Sequence, residues 1–458
     1  MENTVHKRVG ADLTQGEILP QLLKFVLPLM LANIVQQLYN TVDMIVIGQY
    51  VGSTGTVGVS TGGEVATLIT FIAAAFGSAA QIYAAQLTGA GDTKSISEMI
   101  MTTLVFTILL AAACTLICIV CSRLFLTWLN CPPEAFGQAL SYMIIVSLGL
   151  PAVFGYNSVC GILRGMGESK RPLLFVTIAA ISNVIMDILL VAVIPLEAAG
   201  TALATIAAQA ASFAAALIYL RRRQESLGIR FSIRELRIEK RHLAVLLKLG
   251  IPLTAQSAFI HFTQLICSAH INAFGLTASA ANSIGNRIQK LVNVFCTSVT
   301  NGSGAMVGQN IGARKPERVR KIVHTSLLCA GALSLIALAA ALLAPKALYR
   351  LFTADQAVIE LGVTYLKIAA LIFIISPIQG SYMAVVVGAG NAKLSFLAGL
   401  LDGVILRLGI SFLFAYTLNM GVTGFFWGNT LARLGPMTVG LLYYLSGRWQ
   451  TAELLGKK

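Results

Sequence analysis

Four carboxylates stand inside otherwise apolar stretches of the chain: Asp43, Glu64, Asp187 and Asp402. In AAISNVIMDILLVAV, residues 179–193, Asn183 and Asp187 lie one helical turn apart among apolar and small residues. An ionised carboxylate in a bilayer core is expensive, so such a residue ordinarily faces a cavity or a partner. An amide on the same helical face can donate to that carboxylate or offer its carbonyl oxygen to a cation. Hard oxygen ligands suit sodium, whereas two carboxylates in a low dielectric repel each other and favour a shared proton. These residues can therefore hold an ion, H+ or Na+. The sequence carries no GxxxxGK[ST] segment and no metal-ligand or nucleophile–base constellation, so neither ATP coupling nor a membrane-embedded enzyme is expected, and no cofactor is implied.

Membrane helices must position these acids. The chain is 56% hydrophobic and 11% charged, against about 25% charged for soluble domains, and alternating barrel segments are missing. In hydrocarbon the backbone must satisfy its own hydrogen bonds, so the apolar runs should be helices. Charged and Gly/Pro punctuation gives twelve spans near 18–47, 56–86, 98–122, 138–163, 172–194, 198–220, 243–271, 279–308, 323–345, 361–387, 395–418 and 421–446. The lysines and arginines outside the spans fall almost entirely in one alternating set of connections; the opposite set holds only Arg123, Lys346 and Arg350. The positive-inside rule then puts both termini and the central linker in the cytoplasm, in a multi-pass protein of the cell inner (plasma) membrane. The polar first residues show no removable signal peptide. A net charge of +14 could suggest nucleic acid, but RRRQESLGIRFSIRELRIEKRH joins two spans and reads as an interfacial helix on anionic head groups, so the bilayer and not nucleic acid is the expected partner. Cys118 and Cys121 lie in an apolar span without a nearby histidine and read as small apolar filler.

The chain is a tandem duplication. AAQLTGAGDTKSISE answers to GQNIGARKPERVRK with Gln86 against Gln309 and Gly89 against Gly312; GMGESK at 165–170 answers to GAGNAK at 388–393; Tyr142 answers to Tyr365, all at a shift of 223. Six spans repeated as six keep the same orientation, which predicts two six-helix, pseudo-symmetric bundles about an axis along the membrane normal, with a cleft between them. The expected divisions are an N-terminal lobe of residues 1–222, a cytoplasmic amphipathic linker of 223–242 and a C-terminal lobe of 243–458. At 1.5 Å per residue Asp43 lies roughly 28 Å along span 1 and Asp187 roughly 22 Å along span 5, depths at which the two can meet.

The six-plus-six duplication, LPLMLANIVQQLYNTVDMIVIG in the first span, LRGMGESKRPL leading into span 5 and the paired Gln-x-x-Gly turns together resemble the multidrug and toxic compound extrusion (MATE) transporters of the multidrug/oligosaccharidyl-lipid/polysaccharide exporter superfamily. The likeness covers essentially the whole chain. It implies an all-α integral membrane fold of twelve transmembrane helices and export of small amphipathic, often cationic compounds by proton- or sodium-coupled antiport with alternating access, from a protein expected to be a monomer. Family members with an N-lobe cation site carry residues that look like Asp43, Asn183, Asp187, Tyr142 and Thr205 here; a possible Na+ would be held by Asp43, Asn183 and Asp187. The competing account is that Asp187 is polar glue between helices.

The chain departs from the sodium-coupled NorM-like branch, which has a glutamate in helix 7 and an aspartate in helix 10; a non-NorM-like, DinF-like or related, prokaryotic branch fits better. Span 7 carries Gln256, His261, Gln264 and His270 instead, and the C-terminal spans bear Arg287, Lys290, Arg407 and Arg433 against Asp402. Either Arg287 and Lys290 snorkel outward while Asp402 pairs with an arginine, or a cleft with one acidic and one basic wall admits zwitterionic and anionic substrates. Candidate cleft residues are Gln36, Tyr39, Asn40, Gln256, His261, Gln264, Asp402 and Arg407, with Met101, Phe154, Tyr156, Phe262, Tyr382 and Met383 as adaptable lining or ordinary packing. His261 could relay protons, or could simply be packed and hydrogen-bonded. Gln86 and Gln309 read as helix caps, and Pro28, Pro151, Pro252 and Pro377 as bends or hinges. The C-lobe cations keep open a second reading, a flippase for a lipid-linked precursor.

Overall fold

A computed structural model describes residues 11–225 and 237–456; most of the expected linker helix lies outside the described residues. Twelve helical segments follow in order: α1 Ile18–Tyr50, α2 Gly52–Ala90, α3 Thr93–Val120, α4 Pro133–Leu148 continued by Leu150–Gly165, α5 Lys170–Val193, α6 Glu197–Arg223, α7 Lys240–Ala273, α8 Leu276–Gly312, α9 Pro316–Leu343, α10 Gln356–Gly388, α11 Ala392–Thr417, and α12 Val422–Leu431 continued by Leu434–Leu445. Among the described residues nine are single helices long and apolar enough to cross a bilayer, and α4 makes a tenth, bent by 47° at Gly149. No strand occurs among the described residues.

Local sequence sets the helix ends. Asp92 caps α3 by accepting from the Ser95 amide at 3.0 Å, Asp355 caps α10 by accepting from the Ala357 amide at 2.9 Å, and Asn391 caps α11 through the Leu394 amide at 3.2 Å. Serines and threonines inside the spans donate to carbonyls on their own helix, as Thr103 does to Met99 at 2.7 Å and Ser303 to Val299 at 2.7 Å, so that the hydroxyls need no water. Large apolar side chains such as Leu116, Val120, Leu328 and Leu343 point outward. Arranged on membrane-spanning helices, these form the lipid-facing surface.

Two compact units divide the described residues: one holds Leu27–Gly250 with Ala11 and Asp12, the other Leu13–Val26 with residues 251–456. The chain passes from one unit to the other inside α1 and again inside α7. In the first unit Val65, Ala73, Ala111, Cys114, Cys118, Ala139, Met143 and Phe154 form a packed core, where Cys118 is the apolar filler expected of it. In the second, Ile271, Ile288, Tyr349, Tyr365, Phe373, Phe425 and Phe426 do the same. The start of α1 is pinned within the second unit: Gln309 Oε1 accepts from the Leu13 amide at 3.0 Å, Asn310 Nδ2 donates to the Leu13 carbonyl at 3.1 Å, and Lys315 Nζ donates to the Thr14 carbonyl at 2.9 Å. Gln309 thus holds the chain entering α1 from a neighbouring segment, a use its place before a glycine turn did not disclose.

The duplication is written into the backbone. Left-handed turning residues recur at the 223-residue shift: Gly52 with Gly275, Gly91 with Arg314, and Gly167 with Gly390. Close helix crossings recur as well. A Cβ on Gly165 would fall 2.7 Å from Ala84 Cβ, and one on Gly388 would fall 2.6 Å from Val307 Cγ1, with Ala84 and Val307 themselves related by the same shift.

Candidate functional site

The first unit brings α1 and α5 together at their acids. The Asp43 and Asp187 carboxyls act directly on one another, and the Asn183 amide reaches Asp43. Asp187 and Asn183 are buried at 0% and 1% exposure, and Asp43 is half-buried. None of the three completes its hydrogen bonding: Asp43 Oδ1, both Asp187 oxygens and both polar atoms of the Asn183 amide are buried without a partner in bonding geometry. Buried polar atoms are ordinarily satisfied, so orphaned oxygens from two carboxylates and an amide, facing one another, suit a shared proton or a sodium ion. Asp187 is the last α-helical residue before a π-helical run, Ile188–Val193, a kind of distortion frequent at functional positions.

Packing positions the rest of the site. Gly58 and Gly62 let α2 lie directly on α4: a Cβ on Gly62 would meet the Ala139 carbonyl oxygen at 2.7 Å and the Tyr142 ring at 3.2 Å. The Tyr142 ring is fixed there against a small cluster of Val46, Ile47, Val59 and Val191, which ties the C-terminal half of α1 to α2 and to the π-helical end of α5. Tyr142 lies within electrostatic reach of both acids. Tyr39, one turn before Asp43 and buried, lies within reach of the side chains of Gln36 and Gln209. Gln209 was missed from sequence; its signal was a lone amide in the alanine-rich run TIAAQAASF. Thr205 is half-buried and its hydroxyl donates at 2.9 Å to the Thr201 carbonyl on its own helix, so the structure does not bond it to the acids. Asn40 and Glu64 are exposed.

Gln256, His261, Gln264, Asp402 and Arg407 belong to the second unit. Gln256 lies against Gly399, His261 is half-buried and in contact with a neighbour, and Gln264 is exposed. Arg287 and Lys290 are exposed, whereas Asp402 and Arg407 are buried and joined by an ion pair of 2.6 Å. Arg407 also donates to Asn429 Oδ1 at 2.8 Å, and the Tyr365 hydroxyl donates to Asn286 Oδ1 at 3.0 Å. Asp402 and Arg407 are five residues apart, which an α-helix would set roughly 140° apart around its axis. They share a face because Leu401–Leu408 is π-helical. Among the described residues no group of three or more His, Cys, Asp or Glu side chains could hold a metal ion.

Twelve helices in two repeated bundles, with buried charge concentrated at a few interior positions, define a polytopic membrane transporter rather than an enzyme. The chain belongs to the MatE family, whose model matches residues 28–189 and again 252–417, once in each half. It is 27% identical over 98% of its length to the probable multidrug resistance protein YpnP of Bacillus subtilis, covering 99% of that protein. It is also 21% identical to the multidrug export protein MepA of Staphylococcus aureus over 94% of each chain. Among solved structures, an outward-facing multidrug resistance MATE family transporter of the MOP superfamily superposes with a TM-score of 0.88 at 19% identity, over 97% of this chain and 98% of that one. A MOP superfamily transporter from Pyrococcus furiosus, described as having a binding pocket of reversed polarity, superposes with a TM-score of 0.87 at 19% identity over the whole of both chains.

Proposed function

We propose that this protein is a secondary active multidrug exporter of small amphipathic, often cationic compounds, driven by protons or sodium through Asp43, Asn183 and Asp187. The observation that carries the reading is the set of buried, unpartnered oxygens shared by α1 and α5. With both acids ionised, the site places two like charges in a low dielectric; a proton or a sodium ion relieves that repulsion. Asp43 and Asp187 therefore draw together when the ion is held, Asn183 supplies the neutral oxygen or donor, and Tyr142 buttresses the site. Tyr39 of α1 and Gln209 of α6 lie within reach of one another one turn from Asp43, so a change at the acids is passed to the packing of α1. Pro28 inside α1 removes one backbone hydrogen bond and lowers the resistance of that helix to bending. Alternating access then follows if the ion and the substrate favour different conformations.

By charge distribution both termini face the cytoplasm, the protein resides in the inner (plasma) membrane, and it works as a monomer without a cofactor. The test is efflux of a fluorescent cationic dye from vesicles under separately imposed proton and sodium gradients, with Asp43→Asn and Asp187→Asn as variants. One gradient should drive wild-type export and both variants should lose it. Wild-type rates in both variants would remove the coupling role of the pair, and stimulation by lipid-linked sugars with no dye export would turn the reading to a flippase.

A further inference from the structure

The buried polar cluster of the second unit does not balance its charges. Arg407 and Arg433 both act on Asp402, and Arg407 already takes one oxygen of that carboxylate at 2.6 Å. Half-buried Arg433 stands at the break between Leu431 and Leu434 in α12, and its side chain makes no hydrogen bond or ion pair among the described residues. Arg407, 3% exposed, has a buried Nε without a partner. Asn429 spends its Oδ1 on Arg407, so its NH2 remains a donor. Apart from the second oxygen of Asp402, the open groups are thus donors and the net charge is positive, in a setting where an uncompensated buried charge is strongly unfavourable. A guanidinium is a planar fork of donors that matches a carboxylate with two parallel hydrogen bonds.

We propose that this cluster is a subsite for the carboxylate of a zwitterionic or anionic amphipathic substrate, gripped by Arg433 and completed by Arg407 Nε and the Asn429 amide. Resting on the exporter reading, it specifies which substrates the second unit selects: molecules that carry an acid in addition to, or in place of, a cationic centre. Asp402 holds Arg407 in place and leaves Arg433 to the ligand. A carboxylate placed between the arginines would bring their combined charge with Asp402 to neutral.

The experiment is equilibrium binding to the purified full chain, followed by fluorescence polarisation, of a rhodamine bearing a free benzoate and of the methyl ester of the same dye. Wild-type protein should bind the acid more tightly than the ester. Arg433→Gln should weaken the acid about tenfold, the loss of one charge-assisted contact, and leave the ester within about twofold. Arg433→Lys keeps the charge without the fork and should fall between; it is also the readout should the glutamine variant fail to fold. No acid preference in the wild type, or an acid affinity unchanged by both substitutions, overturns the proposal. Loss of the acid preference in phosphatidylglycerol nanodiscs, but not in neutral lipid, would assign the site to a lipid head group and overturn it too. Because no gradient is involved, acid binding through Arg433 without dye export would sink only the exporter reading, and gradient-driven export without that preference would sink only this one.

Discussion

Breaking the Asp402–Arg407 pair is the sharpest energetic test of the second unit. Both residues are nearly inaccessible, at 2% and 3%, and their contact is 2.6 Å. Asp402→Asn retains the volume and an acceptor oxygen but removes the charge, leaving Arg407 buried beside Arg433 with no carboxylate to offset either. Loss of one partner of a buried ion pair typically costs about 3–5 kcal/mol, because the survivor remains as an unpaired charge. Arg407→Met strands Asp402 with only the more distant Arg433 and should cost a comparable amount. Asp402→Asn with Arg407→Met removes both charges, so its loss should be far less than the sum of the two single losses, with a coupling of about 2 kcal/mol or more. The assay is the midpoint of thermal unfolding by intrinsic tryptophan fluorescence at one protein and detergent concentration. If the double variant falls by the sum of the single shifts, the two side chains do not share a buried contact, and the π-helical register of α11 is wrong as described.

Three further outcomes follow from the geometry of the first unit. Gly62→Ala forces a Cβ to 2.7 Å from the Ala139 carbonyl oxygen and should destabilise by about 1–3 kcal/mol, whereas at Gly63 the nearest neighbour is Tyr142 Cε1 at 3.7 Å, so Gly63→Ala should be neutral or stabilising; equal unfolding midpoints would contradict the tight α2–α4 crossing. Sodium or acid should raise the wild-type midpoint by linkage, about 2.7 kcal/mol at a hundredfold excess over the dissociation constant, and Asp187→Asn should abolish that increment; an undiminished increment would place ion binding elsewhere. Tyr83→Phe deletes the 2.7 Å bond between the Tyr83 hydroxyl and His242 Nδ1, leaving a buried ring nitrogen unpaired at a cost of about 1–3 kcal/mol; hydrogen exchange in the first turn of α7 should quicken, and unchanged protection there would show that His242 is held by Glu98 alone.

The spans and their duplication were legible because lipid leaves few alternatives to helices, and Gly, Pro and charge mark where those helices end. The meeting of Asp43 with Asp187 was legible from helical rise, since depth depends only on residue count and not on side-chain conformation. Asp402 and Arg407 were each visible as charges, and an Asp402–arginine pair was one of two readings, but the partner could not be fixed: the α-helical register that sequence arguments assume points the two apart. Asn429 and Gln209 were passed over although each is an isolated amide in apolar surroundings, because their partners, Arg407 and Tyr39, lie on other helices. Thr205 illustrates the opposite limit, for its position along α6 was plausible while the direction of its hydroxyl, back onto Thr201, is a rotamer choice that spacing does not encode.

The two halves separate what the fold requires from what each unit does. Gly62 with Tyr142 recurs as Gly285 with Tyr365, a ring packed on a glycine in both units, so the tyrosine serves packing in the first instance and only its hydroxyl environment has diverged. A π-helical run recurs too, Ile188–Val193 against Leu413–Thr417, which overlap at the 223-residue shift. What does not recur is chemistry. Asn183 and Asp187 map onto Leu406 and Ile410, while Asp402 and Arg407 map onto Ala179 and Val184. The second half carries an additional π-helical run, Leu401–Leu408, where the first is α-helical, and that extra run is what aligns Asp402 with Arg407. A packing role would have been kept in both copies, as the Gly–Tyr contact was. Two acids meeting in the first unit, and two arginines gathered about a single aspartate in the second, fit the two tasks proposed above, ion coupling in the first and recognition of the substrate's acidic group in the second.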